Sequence, residues 1–292
     1  MIFKKKLSKN AKKIDNFLVN FLKKQKKSLL LKPMKYGVIS GGKKIRSTLI
    51  FDTGKIFGVK ENKLLNICAA VECIHSYSLI HDDLPCMDND SMRRGKPSTH
   101  IKFGEASAVL AGSSLLTLAF EIIADKKLLL NSKIKNEIIS HLASCSGHTG
   151  IAGGQELDLK FEKKKKKISQ IIDMQKKKTG KLFNFCLYAV GVIANNTKKE
   201  KKHLGNLGEE IGLLFQLADD FLDKKGSKHL LGKPVKKDNK KGKSTLLNLM
   251  GEKKAYLYAN NLKKKILRKL KKHGKKAKEL TRTIEFILER KF

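Results

Sequence analysis

Apolar residues recur at every third or fourth position along most of the chain, the spacing that places them on one face of an α-helix. The first such stretch sets Ile14, Leu18 and Leu22 on one face, while lysines occupy the other. The alternation of apolar and polar residues that marks a half-buried strand is absent. Neither a repeat of fixed period nor a linker composition interrupts the chain. We therefore predict an all-α fold, with a single domain over residues 1–292.

The same pattern predicts where helices and loops alternate. Helices are predicted over residues 45–59, 64–80, 106–125, 134–146, 168–195, 203–223, 246–272 and 277–290. Loops are predicted over residues 32–44, 89–104 and 224–243. Pro85 should end or bend the helix that begins at residue 64, because proline lacks the amide hydrogen that a helix interior needs.

Length and hydropathy limit the class of protein. The 292 residues, 40% of them hydrophobic, suffice for a sizeable buried core. The longest uncharged stretches, residues 106–120 and 182–197, are shorter than the ~20 residues that span a bilayer, so we interpret both as core helices. The N-terminus lacks the apolar segment of a secretory signal. We therefore expect a soluble cytoplasmic protein without a membrane span.

Cysteine usage agrees with that compartment. Five cysteines are an odd number, and none forms a CxxC pair. Cys68 and Cys73 stand among apolar neighbours. Buried thiols in a reducing cytosol are therefore expected, and a structural zinc site is not.

The net charge bears more directly on function than the cysteines do. The chain has 64 Lys and Arg residues against 27 Asp and Glu residues, a formal charge of +37. Such a surplus is typical of nucleic-acid binding. However, only six of these residues are Arg, and aromatic residues make up only 7% of the chain. Arginine forks and aromatic rings are the groups that grip and stack nucleotides. We therefore interpret the lysine surplus as compositional drift, and binding to nucleic acid or an anionic surface as an alternative function.

Two aspartate clusters stand out from this basic background. They consist of Asp82, Asp83 and Asp88 in HDDLPCMD, and of Asp219, Asp220 and Asp223 in FQLADDFLD. Carboxylates four positions apart share a helix face, and Mg²⁺ commonly links such carboxylates to substrate phosphates. In the first cluster the break at Pro85 must fold the third aspartate back towards the first. Aspartate-rich helix ends are often solvated surface, but apolar helix flanks both clusters, which favours a cavity.

Basic residues accompany the acidic clusters. In GGKKIRS a Gly-Gly turn precedes Lys43 and Arg46, which lie one helical turn apart. A turn into a helix N-terminus presents free amide groups, so this segment can grip an anion. Arg93 and Arg94 follow the first aspartate cluster directly. KTG at residues 178–180 and the loop over 231–245 add further candidates for phosphate binding.

These motifs occur together in an order and spacing that indicate a family. GGKKIR, AVECIHSYSLIHDDLPCMDND with RRGKPSTH, GGQELDL, KKTG, FQLADDFLD and GKST resemble the motifs of the trans-polyprenyl diphosphate synthases, from about residue 34 to residue 250. Within that family the chain is most similar to the bacterial farnesyl diphosphate synthases. The resemblance implies an isoprenoid-synthase bundle of long helices around a central cavity, usually a homodimer. The two aspartate motifs would face each other across the cavity mouth.

The resemblance also implies roles for individual residues. The metal ligands, for several Mg²⁺ ions, would be Asp82, Asp83, Asp88, Asp219, Asp220 and Asp223. The diphosphate of isopentenyl diphosphate would be held by Lys43, Arg46, His75 and Arg94. The allylic diphosphate would be held by Arg93, Lys178, Thr179, Gln216, Lys233 and Lys243. Gln155 and Asp158 would support the cavity, and His81 is interpreted as structural.

The implied chemistry fits these side chains. Mg²⁺ and the basic residues would neutralise the charge that grows on departing pyrophosphate. The allylic carbocation would be stabilised by the Thr179 hydroxyl, the Gln216 carbonyl and backbone carbonyls near Lys178, which are therefore the expected catalytic groups. The double bond of isopentenyl diphosphate would attack the cation, and a proton would then be lost. No protein nucleophile is required.

Product length is expected to depend on the helix before the first aspartates. Tyr77 and Ser78 lie five and four residues before Asp82. This resembles the fifteen-carbon synthases, in which an aromatic ring at this position floors the pocket. Farnesyl diphosphate is the predicted product, and a longer, geranylgeranyl product is the alternative.

The chain departs from the family pattern at several positions. Lys44 stands where Arg is usual, and Ser47 where Pro is usual. Lys236 occupies a position usually held by Gly, and Leu246-Leu247 replaces Tyr-Pro. None of these changes removes a proposed ligand. A terpene cyclase would need no second diphosphate site, and a degenerate subunit should have lost an aspartate motif, so we consider both less consistent with the sequence.

Overall fold

The computed structural model describes residues 2–162, 164–224 and 245–289, and nearly all of its regular structure is helical. The α-helices are α1 (Ile2–Lys23), α2 (Leu31–Val38), α3 (Ile45–Ile56), α4 (Glu61–Asp82), α5 (Thr99–Phe103), α6 (Glu105–Ala124), α7 (Ser132–Ser146), α8 (Ile151–Phe161), α9 (Ile168–Gln175), α10 (Lys181–Ile193), α11 (Lys198–Lys224), α12 (Leu246–Met250), α13 (Glu252–Leu270) and α14 (Lys278–Glu289). A π-helical turn (Lys176–Gly180) precedes α10, and a 3₁₀ helix (Lys271–Ala277) precedes α14. The all-α prediction is confirmed.

Helices α4 and α10 form the centre of the bundle. Helix α4 packs against α3 and α6, and α10 packs against α11, α7, α3 and α4. Both are buried on most sides, since residues such as Ile67, Ile74, Phe183 and Phe185 have no exposed surface. A helix that is apolar all round is stable only inside a bundle. This placement brings the C-terminal end of α4, which carries the first aspartates, into the protein.

Glycines allow the helices of the site to approach each other closely. A Cβ atom at Gly154 of α8 would lie 2.1 Å from the backbone nitrogen of Lys178. A Cβ atom at Gly212 of α11 would lie 2.7 Å from the Cα atom of Gly180. Both distances are shorter than van der Waals contact. The glycines therefore set α8 and α11 directly against the π-helical turn that carries KTG.

Three of the described helices occupy segments where none was predicted. Helix α5 lies within the predicted loop over residues 89–104. Helix α2 covers the first part of the predicted loop over residues 32–44; Pro33 falls in its first turn, where proline costs no hydrogen bond. Helix α8 was missed because its Gly-Gly pair weakens helix propensity. The contact that Gly154 makes with Lys178 explains why packing overrides that propensity.

Other segments are divided more finely than predicted. The predicted helix over 168–195 contains the π-helical turn between α9 and α10. The predicted helix over 246–272 is interrupted at Gly251, which has φ of 75°. Within the predicted loop over 89–104, strands β1 (Met92–Arg93) and β2 (Lys96–Pro97) form a small antiparallel hairpin. Positive φ at Arg94 and Gly95 suits the two-residue turn between them.

Helix α6 combines length with apolar composition. By these two criteria it could cross a membrane, with a mean hydropathy of 1.7 over its most apolar window. The helix meets the length criterion because it extends beyond the uncharged stretch over residues 106–120. It packs along α4, and 44% of that window is buried.

Candidate active site

The first aspartate motif is a hydrogen-bonded turn at the end of α4. The Asp88 amide donates to the Asp82 carbonyl at 2.8 Å, and the Asp90 amide donates to the Asp83 carbonyl at 3.0 Å. The amide of Asn89 donates to the Leu84 carbonyl at 3.0 Å. The chain thus reverses after the helix, and the prediction that Asp88 folds back towards Asp82 is confirmed.

Asp83 and Arg93 form a closely bonded ion pair behind this turn. The Arg93 Nε atom lies 3.0 Å from Oδ1 and 3.2 Å from Oδ2 of Asp83, and Nη2 also donates to Oδ1. Nη2 reaches Asp90 at 3.4 Å. Burial lowers the pKa of the guanidinium, but its hydrogen bonds to Asp83 and the charges of the nearby aspartates outweigh that effect and raise the pKa overall. In this structure Arg93 therefore braces the acidic motif.

Asp82 lies between like charges and a facing lysine. Burial raises the pKa of its carboxyl group to about 6; Asp88 and Asp83 add to the rise, whereas Lys178 and Arg93 oppose it. Lys178 projects from the π-helical turn, and its Nζ atom lies 2.6 Å from Asp158 of α8. An electrostatic interaction between Lys178 and Asp82 thus links the KTG turn to the first motif.

The second aspartate motif is built into α11 without a break in the helix. Asp219 and Asp223 lie one turn apart, and Asp220 and Asp223 are buried. Asp219 contributes to the electrostatic environment of Arg46, since its charge favours the protonated guanidinium there. The second motif therefore adjoins the cationic part of the site as well as the KTG turn.

A chain of hydrogen bonds joins the KTG turn to the second motif. The Thr179 hydroxyl donates to Gln216 Oε1 at 3.1 Å, and Gln216 Nε2 donates to Asp220 Oδ1 at 3.0 Å. Gln175 Nε2 donates to the other oxygen of Asp220 at 3.4 Å. These bonds fix Asp220 from two elements. The structure thus brings Thr179 and Gln216 together as predicted, and it adds Gln175, which sequence reasoning missed.

Arg46 lies in the first turn of α3, close to two aromatic rings that pack against each other. Its guanidinium carbon is 4.8 Å from the centre of the Phe183 ring and 5.9 Å from that of Phe215. Burial lowers its pKa, the charge of Glu72 opposes that shift most strongly, and the Nε atom makes no hydrogen bond among the described residues. A buried donor without a partner is costly, so an arriving anion would be favoured here.

Arg94 is fixed by the Gly-Gly turn. Its Nη1 atom donates to Ser40 Oγ at 3.0 Å and to the Gly41 carbonyl at 2.6 Å. A Cβ atom on Gly42, which has φ of 104°, would lie 2.9 Å from the guanidinium carbon of Arg94. The positive φ and the close approach of Arg94 both require glycine at position 42. The Gly-Gly segment therefore places Arg94 beside the N-terminus of α3, whose first turn contains Arg46.

His75 of α4 lies among these cations. Burial lowers the pKa of its imidazole well below 6.5, and the charges of Arg46, Arg94, Lys44 and Arg93 lower it further. The ring is therefore neutral near pH 7 and can donate one N–H to an anion. We call Arg46, His75, Arg94 and Lys44 the cationic cluster.

Some predicted ligands lie elsewhere. The Lys43 ammonium lies 5.9 Å from the centre of the Phe286 ring on α14. Lys233, Lys236 and Lys243 lie outside the described residues. The carboxamide of Gln155 is buried on α8 and makes no hydrogen bond among the described residues.

The candidate chain-length residues lie on α4 as predicted. Tyr77 is 9% exposed, and its ring packs edge-on against His81 with the centres 5.4 Å apart. His81 in turn bonds the Val109 carbonyl of α6 at 3.0 Å. The Ser78 hydroxyl donates to the His75 carbonyl at 2.9 Å. The packing gives His81 the structural role expected for it.

The donor set suits Mg²⁺ that is shared with a substrate. Within residues 2–162, 164–224 and 245–289, no group of three or more His, Cys, Asp or Glu side chains is arranged to hold a metal ion alone. Each aspartate motif nevertheless offers carboxylate oxygens, and Asp82 is crowded by like charges. Mg²⁺ usually takes one or two carboxylates and completes its shell with phosphate oxygens and water. The residues present fit that mode.

Comparison with known proteins indicates the family. Residues 27–286 match the model of the polyprenyl synthetase family. The chain is 43% identical over 236 residues to farnesyl diphosphate synthase from Escherichia coli (strain K12), which covers 80% of this chain and 79% of that protein.

Two solved structures share the whole fold. An FPP/GFPP synthase from Zymomonas mobilis superposes with a TM-score of 0.88 at 36% identity, covering 98% of this chain and 99% of that chain. A geranyltransferase from Helicobacter pylori, complexed with magnesium and isoprenyl diphosphate, gives a TM-score of 0.81 at 32% identity, covering 97% and 96%. The predicted family resemblance and isoprenoid-synthase fold are confirmed.

Proposed function

Because the chain belongs to the polyprenyl synthetase family, we propose that it condenses isopentenyl diphosphate with dimethylallyl or geranyl diphosphate. The chain is a prenyltransferase, and the proposed products are (2E,6E)-farnesyl diphosphate and pyrophosphate. One observation carries this proposal further than similarity does. An acidic motif with a facing lysine and a cationic cluster with a neutral histidine adjoin each other, which suits two diphosphates bound side by side.

The cationic cluster would hold isopentenyl diphosphate. Arg46 has an unused donor, Arg94 is fixed by the Gly-Gly turn, and neutral His75 supplies a further N–H. Lys43 is proposed to join them. Charge-assisted bonds of this kind are the strong ones for phosphate. They would fix the homoallylic double bond in one orientation.

The other half would hold the allylic diphosphate and Mg²⁺. We propose that several ions are held by Asp82, Asp83, Asp88, Asp219, Asp220 and Asp223. When bound, Mg²⁺ would neutralise the departing pyrophosphate. Lys178, Arg93, Lys233 and Lys243 are proposed to contact the same group. Thr179 and Gln216, which are hydrogen-bonded to each other, would direct their oxygen dipoles at the allylic cation.

Product length is proposed to depend on the Tyr77 ring. Packing against His81 limits its freedom to swing aside. Substitution Tyr77→Ala should open the pocket and lengthen the product, as read by chromatography of the dephosphorylated alcohols. Unchanged product lengths from an active variant would exclude Tyr77 as the floor.

The decisive experiment is a product assay with purified protein. It would use labelled isopentenyl diphosphate, dimethylallyl or geranyl diphosphate, and Mg²⁺, with EDTA as control. Farnesyl diphosphate formed from both allylic substrates only when metal is present would support the proposal. A twenty-carbon product would keep the chemistry and replace the product assignment with the geranylgeranyl alternative. No product from folded protein would overturn the proposal.

We also propose that the enzyme is a cytoplasmic homodimer. The outer side of α6 exposes Val109 and Leu110, which are 42% and 54% accessible in the monomer. An apolar helix face of this kind is a good candidate for burial between two copies. Light scattering should give twice the chain mass, and Leu110→Lys should shift it towards the monomer.

A further inference from the structure

Glu72 is a buried carboxylate that neither the metal nor the diphosphate sites use. It lies on α4 with 2% exposure, three residues before His75. Its charge is the strongest of those that favour the protonated form at both Arg46 and Arg94. A buried carboxylate is costly unless it is paired. Glu72 is therefore a counterion within the cationic cluster.

Two residues of the α3 N-terminus fix the two oxygens of this carboxylate separately. The Ser47 hydroxyl donates to Glu72 Oε1 at 2.8 Å. The Lys44 ammonium lies 3.5 Å from Oε2, and it also donates to the Val38 carbonyl at 3.0 Å and lies 3.5 Å from Asp15. Ser47 is 0% exposed and Lys44 is 4% exposed. Both lie within two residues of Arg46 along the chain.

These are two of the positions where the chain departs from the family pattern of Arg at 44 and Pro at 47. A guanidinium presents several donors in one plane and can satisfy both oxygens of a carboxylate alone. An ammonium acts as a point charge. Proline has no side-chain donor. The hydroxyl of Ser47 therefore supplies to Glu72 the hydrogen bond that Lys44 leaves unmade.

We propose that Glu72 is a positioning residue for the diphosphate-binding cations, and that Lys44 and Ser47 act as a matched pair that holds it. This inference rests on the proposed function of the cationic cluster. It predicts that the two departures are coupled. Removing the Ser47 hydroxyl alone should disturb the binding of isopentenyl diphosphate, and an added Lys44→Arg substitution should restore it.

The test is a double-mutant cycle with Ser47→Ala and Lys44→Arg, read as the KM for each substrate. Ser47→Ala should raise the KM for isopentenyl diphosphate about five- to tenfold, the usual effect of one lost buried hydrogen bond. Its KM for the allylic diphosphate and its kcat should stay within about twofold. Lys44→Arg/Ser47→Ala should return the raised KM to within about twofold of the parent value. Glu72→Gln should raise it at least as much as Ser47→Ala, with no rescue by Lys44→Arg.

A matched control removes another buried hydroxyl from the same helix. Thr53 of α3 is 0% exposed, and its hydroxyl makes no hydrogen bond among the described residues. Thr53→Val should leave both KM values unchanged. If Ser47→Ala raises both KM values equally, its role is general stability and the proposal is wrong. Absence of rescue in the double variant would also overturn it.

A binding experiment separates this inference from the proposed function. Calorimetric titration with isopentenyl diphosphate, without allylic substrate, requires no turnover. A parent protein that binds isopentenyl diphosphate but forms no prenyl product would contradict the proposed function alone. The Ser47→Ala loss and its rescue would then still be measurable as affinities. Equal affinity in the parent, Ser47→Ala and Glu72→Gln proteins would contradict the role of Glu72.

Discussion

In the acidic half of the site, like charges are brought together by a turn, whereas in the cationic half unlike charges are arranged around a buried carboxylate. Asp82 has a raised pKa because it is buried beside Asp88 and Asp83. The charge of Glu72, by contrast, favours the protonated guanidinium groups of Arg46 and Arg94. The acidic half therefore gains most from an added cation. Glu72 already neutralises part of the charge of the cationic half. That half can therefore keep its geometry when no anion is bound.

Removal of one acidic carboxylate should give the largest loss of activity. Asp82→Asn and Asp219→Asn should each lower kcat by about 10²- to 10³-fold at saturating substrate, the scale of losing one group that stabilises charge in the transition state. Asp82→Asn should at the same time raise the melting temperature of the metal-free protein, because it removes a buried charge from among like charges. Steady-state kinetics and thermal unfolding test the two effects.

The control for this prediction is Asp173→Asn. Asp173 is an exposed carboxylate, 59% accessible, that pairs with Lys177 on the neighbouring turn. It should change neither kcat nor the melting temperature appreciably. An Asp82→Asn enzyme with nearly full activity would mean that the first motif does not bind the metal.

Removal of a positively charged side chain from the cationic half should weaken the use of one substrate only. Arg46→Met should lower kcat/KM for isopentenyl diphosphate about 10- to 100-fold, the range of one lost charge-assisted interaction. The KM for the allylic diphosphate should change less than about threefold. Arg282→Met, which removes a guanidinium that is 50% exposed on α14, is the matched control. Equal losses for both substrates would show that Arg46 does not distinguish the two diphosphates.

The sequence predicted the acidic half better than the cationic half, and the reason is physical. The acidic turn is local, so spacing and Pro85 sufficed to predict that Asp88 returns to Asp82. The pairing of Glu72 with Lys44 and Ser47 joins α4 to α3, and apolar periodicity carries no information on which polar groups meet across that contact. The π-helical turn and α8 were missed because glycine-mediated packing, rather than propensity, determines them.

The turn of the first aspartate motif can be strained without changing a proposed metal ligand. Asn89 has φ of 49°, a region that Asn and Gly adopt readily and β-branched residues do not. Asn89→Val should therefore distort the backbone between Asp88 and Asp90 and raise the Mg²⁺ concentration for half-maximal activity about tenfold, since the strain costs roughly 1–2 kcal/mol. Asn89→Gly should stay within about twofold. Equal metal requirements in the two variants would show that the turn does not position the carboxylates.

The smallest effect should appear as a pH dependence of stability in the cationic half. Burial and the neighbouring cations hold the pKa of His75 well below 6.5 in the folded protein, while the unfolded chain protonates this ring near pH 6.5. Below that pH the unfolded state binds more protons, so the free energy of unfolding falls, by up to about 1.4 kcal/mol for each pH unit. His75→Gln should remove this contribution, and denaturant titrations between pH 5 and 7.5 should show a flatter slope. His148→Gln reports the general effect of removing an exposed histidine. If the slope of the parent protein is unchanged in His75→Gln, the ring is not held neutral, and the cationic half does not repel an added positive charge as the comparison of the two halves requires.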